Sequence, residues 1–139
     1  MSGDLLINFQ DAFDVFGVNM GEVFLSDISA PPPLKDFVEN KSRLNNGKEV
    51  IFNDPKVDER AVTLTFVIMG RDTATFMANK RAFEAELLKG LVEINVPALG
   101  SEVYRLTYIS SAAFAMNTGR TVCKLSVKFN ESNPSYREY

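Results

Sequence analysis

Three consecutive prolines, Pro31 to Pro33, constrain this chain more than any other feature. Each holds φ near about −65° and removes a backbone donor, so Ala30–Leu34 must be a stiff extended connector and cannot be a strand inside a sheet. No full Pro-x-x-Pro context and no basic cluster accompanies them, which leaves a proline-recognition ligand without support. The connector divides an irregular N-terminal segment from the rest. With 139 residues there is material for one ordinary domain and not for two. The expected organisation is a single domain over 1–139: an N-terminal segment (1–29), a proline connector with a hairpin arm (30–53), a core (57–129) and an exposed polar tail (130–139).

The core is the most legible part. Val62, Leu64, Phe66 and Ile68 alternate with Thr63, Thr65 and Val67, the pattern of a strand with one strongly apolar face. Gly70-Arg-Asp72 ends it, and Asp72 or Thr73 is a good N-cap for a helix over 73–89. Phe76, Phe83 and Leu87 form its apolar stripe, widened by Met77 and Leu88, and Lys89-Gly90 closes it. Leu91–Val96, Glu102–Ile109, a softer continuation Ser110–Met116, and Arg120–Phe129 then read as strands. In the last of these Cys123, Leu125, Val127 and Phe129 share one face. Upstream, Phe37–Leu44 and Lys48–Phe52 flank Asn45-Asn46-Gly47, a strong hairpin signal. The first residues are harder to read. Leu5–Phe16 fits neither period, Gly17–Gly21 reads as a turn, and Glu22–Ile28 reads as a short strand imperfectly in phase. Strands, one helix, then more strands describe a β-rich α+β domain whose single helix covers a sheet face.

Chemistry is notable for what is missing. There are no histidines and one cysteine, so intrachain disulfides, Cys/His zinc sites and histidine-based nucleophilic schemes are excluded. Cys123 lies in an alternating apolar run, where a buried thiol is expected. Glu84 and Glu86 face different directions on the helix, and Asp54, Asp58 and Glu59 crowd a turn without the spacing of a calcium loop. Neither a phosphate-cradling glycine loop nor a nucleophile elbow occurs. No cofactor and no catalytic residue is expected, and the chain reads as a non-enzyme. A net charge of −3 disfavours nucleic acid as a partner. In Tyr104-Arg105 and Lys128-Phe129 the ring and the charge fall on opposite strand faces, as in a buried inner and solvated outer surface. The N-terminus does not read as an export signal and no stretch is long enough to span a bilayer, so synthesis in the cytoplasm and no membrane partner are expected.

From Ala30 onward the chain resembles a family of distal tail and baseplate-adaptor proteins of long-tailed bacteriophages and their prophage relatives. The resemblance rests on Ala30-Pro-Pro-Pro-Leu-Lys35 leading into Phe37-Val-Glu39, on Asn46-Gly47, and on the strand Arg60-Ala-Val-Thr-Leu-Thr-Phe-Val-Ile-Met-Gly70. It continues in the helix end Phe83-Glu-Ala-Glu-Leu-Leu-Lys-Gly90 and the closing Val127-Lys-Phe-Asn-Glu-Ser-Asn-Pro134. These are motifs of order and pattern. The resemblance implies two packed antiparallel sheets, sandwich- or barrel-like, with one helix. It also implies assembly as a ring, commonly a hexamer, that joins the tail tube to the tip without catalysis. Other tail proteins would be its partners and the virion tail, or a prophage-derived particle, its place. The chain lacks the C-terminal carbohydrate-binding-like domain of larger members, so a ring-forming module alone is expected.

Ring protomers need surfaces that pair with neighbours. The N-terminal apolar cluster of Leu5, Leu6, Ile7, Phe9, Phe13 and Phe16 is awkward on a free surface. The candidate subunit interface is therefore Phe9, Phe13 and Phe16 together with Phe37, Val50 and Phe52 of the arm. Against this stands a plain alternative, in which the N-terminus folds over its own core. Two other functions fit the same pattern: a tail-tube or tail-completion protein, and a small β-rich ligand- or carbohydrate-binding module.

Overall fold

The structure, a computed structural model, describes residues 2–35, 38–41, 48–51 and 56–139, the segments 38–41 and 48–51 by their backbone alone. In chain order the described elements are β1 (Leu6–Ile7), β2 (Gln10–Asp11), α1 (Ala12–Phe16), β3 (Val18–Met20), α2 (Phe24–Ser29), β4 (Val38–Lys41) and β5 (Lys48–Ile51). They continue as β6 (Arg60–Met69), α3 (Thr73–Leu87), β7 (Leu91–Asn95), β8 (Val103–Met116) and β9 (Val122–Glu131). Every strand pair is antiparallel. The main sheet runs β2-β1-β7-β8-β9-β6-β3, and β4-β5 forms a separate ribbon.

β8 belongs to two halves of the main sheet. Its first residues pair with β7, from Asn95↔Val103 to Leu91↔Thr107. The rest pairs with β9, from Thr107↔Asn130 to Met116↔Cys123, with register shifts between Tyr108 and Ser110 and between Ser111 and Ala113. Bulges of this kind bend a strand. Connectivity requires the bend. Laid flat, β2 and β3 would lie at opposite edges, about 29 Å apart across the strands and roughly 35 Å apart along β8. The seven residues from Asp11 to Val18 reach ~25 Å at most, and α1 takes up most of them. The sheet therefore folds over into two facing halves, β2-β1-β7-β8 and β8-β9-β6-β3, which is the sandwich-like, β-rich α+β class read from the sequence.

The two halves and α3 share one core. Leu5, Ile7, Val92, Ile94 and Leu106 come from the first half, and Val62, Leu64, Phe66, Ile68, Cys123, Leu125, Val127 and Phe129 from the second. Phe66 is the hub of its aromatic part, with ring centroids 5.4 Å from Phe24, 5.0 Å from Phe83 and 6.2 Å from Phe129. The step from β6 into α3 is tight: a Cβ on Gly70 would overlap the backbone of Phe76, which only glycine avoids. Asp72 then caps the helix by accepting from Thr75 N at 2.8 Å.

Several local expectations change. Glu22–Ile28 is not a strand: Phe24–Ser29 is a helix, because Phe24 and Ile28, four apart, are both buried while Val23 and Leu25 face solvent. Gly17 ends α1 at φ 63°, but Val18–Met20 continue as a strand on β6, where only a turn was expected. The helix expected over 73–89 stops at Leu87, and Leu88 stands exposed. The α-helices number three among the described residues, α1 and α2 adding to the one expected. The hairpin is present as β4-β5, while its turn at 45–47 lies outside the described residues. The arm is tied at its base, where Lys35 N donates to Lys56 O and Asp58 N to Pro33 O, both at 2.8 Å.

Most of the tail is exposed as expected, but it is tied to the body at several points. Glu131 is 1% exposed and takes two guanidinium groups: Arg60 Nε lies 2.9 Å from its Oε1, and Arg137 binds both carboxylate oxygens at 2.9 Å. Arg137 O in turn accepts from Val103 N at 2.9 Å, so the tail runs beside the start of β8. Arg105 holds it further by stacking 4.3 Å from the Tyr136 ring and donating to Glu138 O at 2.8 Å. Phe66→Ala, which opens the aromatic hub, is expected to cost about 3–5 kcal/mol of unfolding free energy, measured by urea titration.

Candidate assembly surface

Among the described residues no group of three or more acids or cysteines could hold a metal ion, and no helix is long and apolar enough to cross a membrane. Cys123 is 1% exposed, and burial pushes its thiol above the ordinary value. Two apolar surface regions bear on assembly.

The first is the turn between β1 and β2. Asn8 and Phe9 both have positive φ, 51° and 62°, as the two central residues of a type I′ turn require. Asparagine suits that conformation, whereas a bulky residue such as Phe9 carries strain there. Asn8 holds the turn in place. Its Nδ2 donates to Glu86 Oε2 at 2.7 Å and its Oδ1 accepts from Glu93 N at 2.8 Å. Hydrogen bonds from Lys89 and then Asn8 keep the Glu86 carboxyl below its usual range. Phe9 is thereby presented at 51% exposure, its ring 5.8 Å from that of Tyr139. Phe13, on α1, is 37% exposed.

The second region is the far half of β8. Phe114 and Met116 lie opposite Leu125 and Cys123 on β9, so they share the core-facing side of the sheet. Leu125 and Cys123 are buried, but Phe114 and Met116 are 47% and 46% exposed. A groove of about 250 Å³ runs between this strand and α3, lined by Leu87, Leu88, Tyr108, Ser111, Phe114 and Leu125, with Lys80 and Glu84 at its rim. That is smaller than the roughly 300–1,000 Å³ of small-molecule sites. Lys80 pairs with Glu84 and sits 5.3 Å over the Phe114 ring.

The edge of β8 matters as much as its face. Over Val103–Thr107 one edge is held by β7, and at Val103 the other meets the tail. Over the far half one edge is held by β9. On the remaining edge Tyr108 N donates to Gly90 O at 2.9 Å, and beyond it no described backbone group bonds to Ile109–Met116.

The residues singled out in the sequence therefore separate. Phe9 and Phe13 are at the surface, and Phe16, at 3% exposure, is in the chain's own core with Leu5 and Ile7. Leu5, Ile7 and Phe16 fit the reading in which the N-terminus folds over its own core, while Phe9 and Phe13 stay open to a neighbour. Val50 lies on β5, where only the backbone is described, and Phe37 and Phe52 lie outside the described residues. The β8 edge was not singled out. Its signal was the run Ser110–Met116, free of charge and proline, following a β7 too short to cover it.

No protein-family model and no curated protein matches the chain. Among solved structures it is similar to the SPP1 Dit protein (gp 19.1), described as a paradigm of the hub adsorption apparatus of phages that infect Gram-positive bacteria. The TM-score is 0.56 at 15% identity, over 94% of this chain and 50% of that one. Over that length the chain shares its fold with part of Dit. The chain thus spans about half the length of Dit, and at this identity the likeness is one of fold.

The Asn8 anchor gives a pH-dependent prediction. The Glu86 carboxyl is lowered in the folded state, so its contacts add stability above its unfolded value near 4.5 and lose it as pH falls through the folded value. Asn8→Ala should lower the melting temperature clearly at pH 7 and by less at pH 3, where the charge-assisted bond is gone. Equal losses at both pH values would show that Glu86 contributes nothing through this contact.

Proposed function

We propose that the chain is a structural component of a phage or prophage tail, a ring-forming distal tail or baseplate-adaptor protein that joins tail tube to tail tip and carries no catalytic activity. The observation that carries this reading is the fold shared with SPP1 Dit over 94% of the chain. The surface is of the kind such a role needs. It has large apolar side chains in two separate places and a sheet edge without a strand. Two different surfaces make a head-to-tail contact, and head-to-tail contacts close into rings when the rotation permits.

Negative-stain microscopy together with light scattering tests the reading. Closed rings support it, open-ended tubes favour the tail-tube alternative, and a monomer at high micromolar concentration defeats both. The Phe9 turn adds a sharper test. Phe9→Gly relieves positive-φ strain and is expected to stabilise the isolated protomer by about 1 kcal/mol. The same change should weaken the oligomer at least several-fold, because the exposed ring is gone. A variant that is more stable and assembles equally well would remove Phe9 from the interface.

A further inference from the structure

We infer that the open edge of β8, Ile109–Met116, is completed in the assembly by a strand of the β4-β5 ribbon from a second copy of the chain. The inference rests on the ring reading and names the contact that would build the ring.

The edge asks for a strand. It offers a row of backbone donors and acceptors that no described group uses. Exposed edges are normally defended by charge, proline or brevity. Ile-Ser-Ser-Ala-Ala-Phe-Ala-Met has no charge and no proline. Its two register shifts bend the strand without covering it. An added strand would also find somewhere to place alternate side chains. Phe114 and Met116 line the exposed continuation of the core face, and the groove beside α3 lies directly under it. Main-chain bonds for affinity and a groove for alternate side chains are the two parts of recognition by strand addition.

The chain also carries a strand without a sheet. β4 and β5 pair with each other over four positions, Val38↔Ile51 to Lys41↔Lys48, and with no other described strand. A lone two-stranded ribbon is marginal in water and gains stability from a third strand. The chain on either side of the ribbon is clamped by Lys35–Lys56 and Asp58–Pro33 bonds and stiffened by three prolines. Edge and ribbon belong to separate sheets within one protomer. Each supplies what the other lacks, and pairing them between copies gives a head-to-tail contact.

Cross-linking decides the matter. In a Cys123→Ser background, a single cysteine is placed on the exposed edge (Ala113→Cys or Ala115→Cys) and, in a differently tagged chain, on the ribbon (Asn40→Cys or Glu49→Cys). The chains are co-expressed and treated with a short bismaleimide. The expected result is a strong dimer band joining the two tags, at least tenfold above the band from either variant alone. A band from the edge variants alone means that β8 pairs with itself, and overturns the inference. Oligomers by light scattering with no mixed-tag band overturn it too, while leaving the ring reading standing. Monomers throughout would defeat the ring reading itself.

Discussion

One buried carboxylate fixes the layout of this molecule. Glu131 sits at the end of β9, almost without solvent, and two arginines from distant parts of the chain converge on it. Charges removed from water are costly unless paired and hydrogen-bonded. Arg60 also donates through Nη1 to Ile28 O at 2.8 Å and Ala30 O at 2.6 Å, the carbonyls at the C-terminal end of α2. There a cation satisfies groups that a helix leaves open. The Tyr104 ring lies under both guanidinium groups, 5.8 Å from Arg60 and 4.8 Å from Arg137. Burial lowers the Arg60 pKa, whereas the hydrogen bonds that Arg137 donates to Glu131 raise its own. The cluster joins β6, β9, α2 and the tail, and so determines where the proline connector leaves the body.

The same cluster shows why part of the fold was hidden in the sequence. Alternation in Val62–Ile68 and Cys123–Phe129, and the Phe76–Phe83–Leu87 stripe, report burial directly, because apolar residues at a fixed period can be satisfied in only one way. Glu131 and Arg137 carry charges, which ordinarily mark solvent, and their burial follows only from a pairing between residues that are separately unremarkable. The tail consequently read as an exposed arm. α2 was lost for another reason. A helix of six residues buries just Phe24 and Ile28, and two apolar positions four apart satisfy a strand period equally well. Phe16 could not be told from Phe9 and Phe13 until the turn at Asn8–Phe9 was in place, since that turn decides which side of the segment faces inward.

The candidate surface was legible in part. Apolar excess near the N-terminus was visible, and two of the three phenylalanines singled out there do reach the surface. The β8 edge depended on a comparison of lengths, five residues in β7 against fourteen in β8. Neither strand alone reveals an unpaired stretch; the mismatch between them does. Bulges bend that stretch, and no described strand pairs with its open edge.

That uncovered stretch has a consequence for the life of the free chain. A newly made protomer carries a template on which any passing extended segment can lay down hydrogen bonds, and the hazard grows with the time spent unassembled. Selection on such a protein acts on timing as much as on shape. On the ring reading proposed above, partner copies must arrive faster than wrong strands do, which favours synthesis in a burst and penalises a slow trickle of single chains.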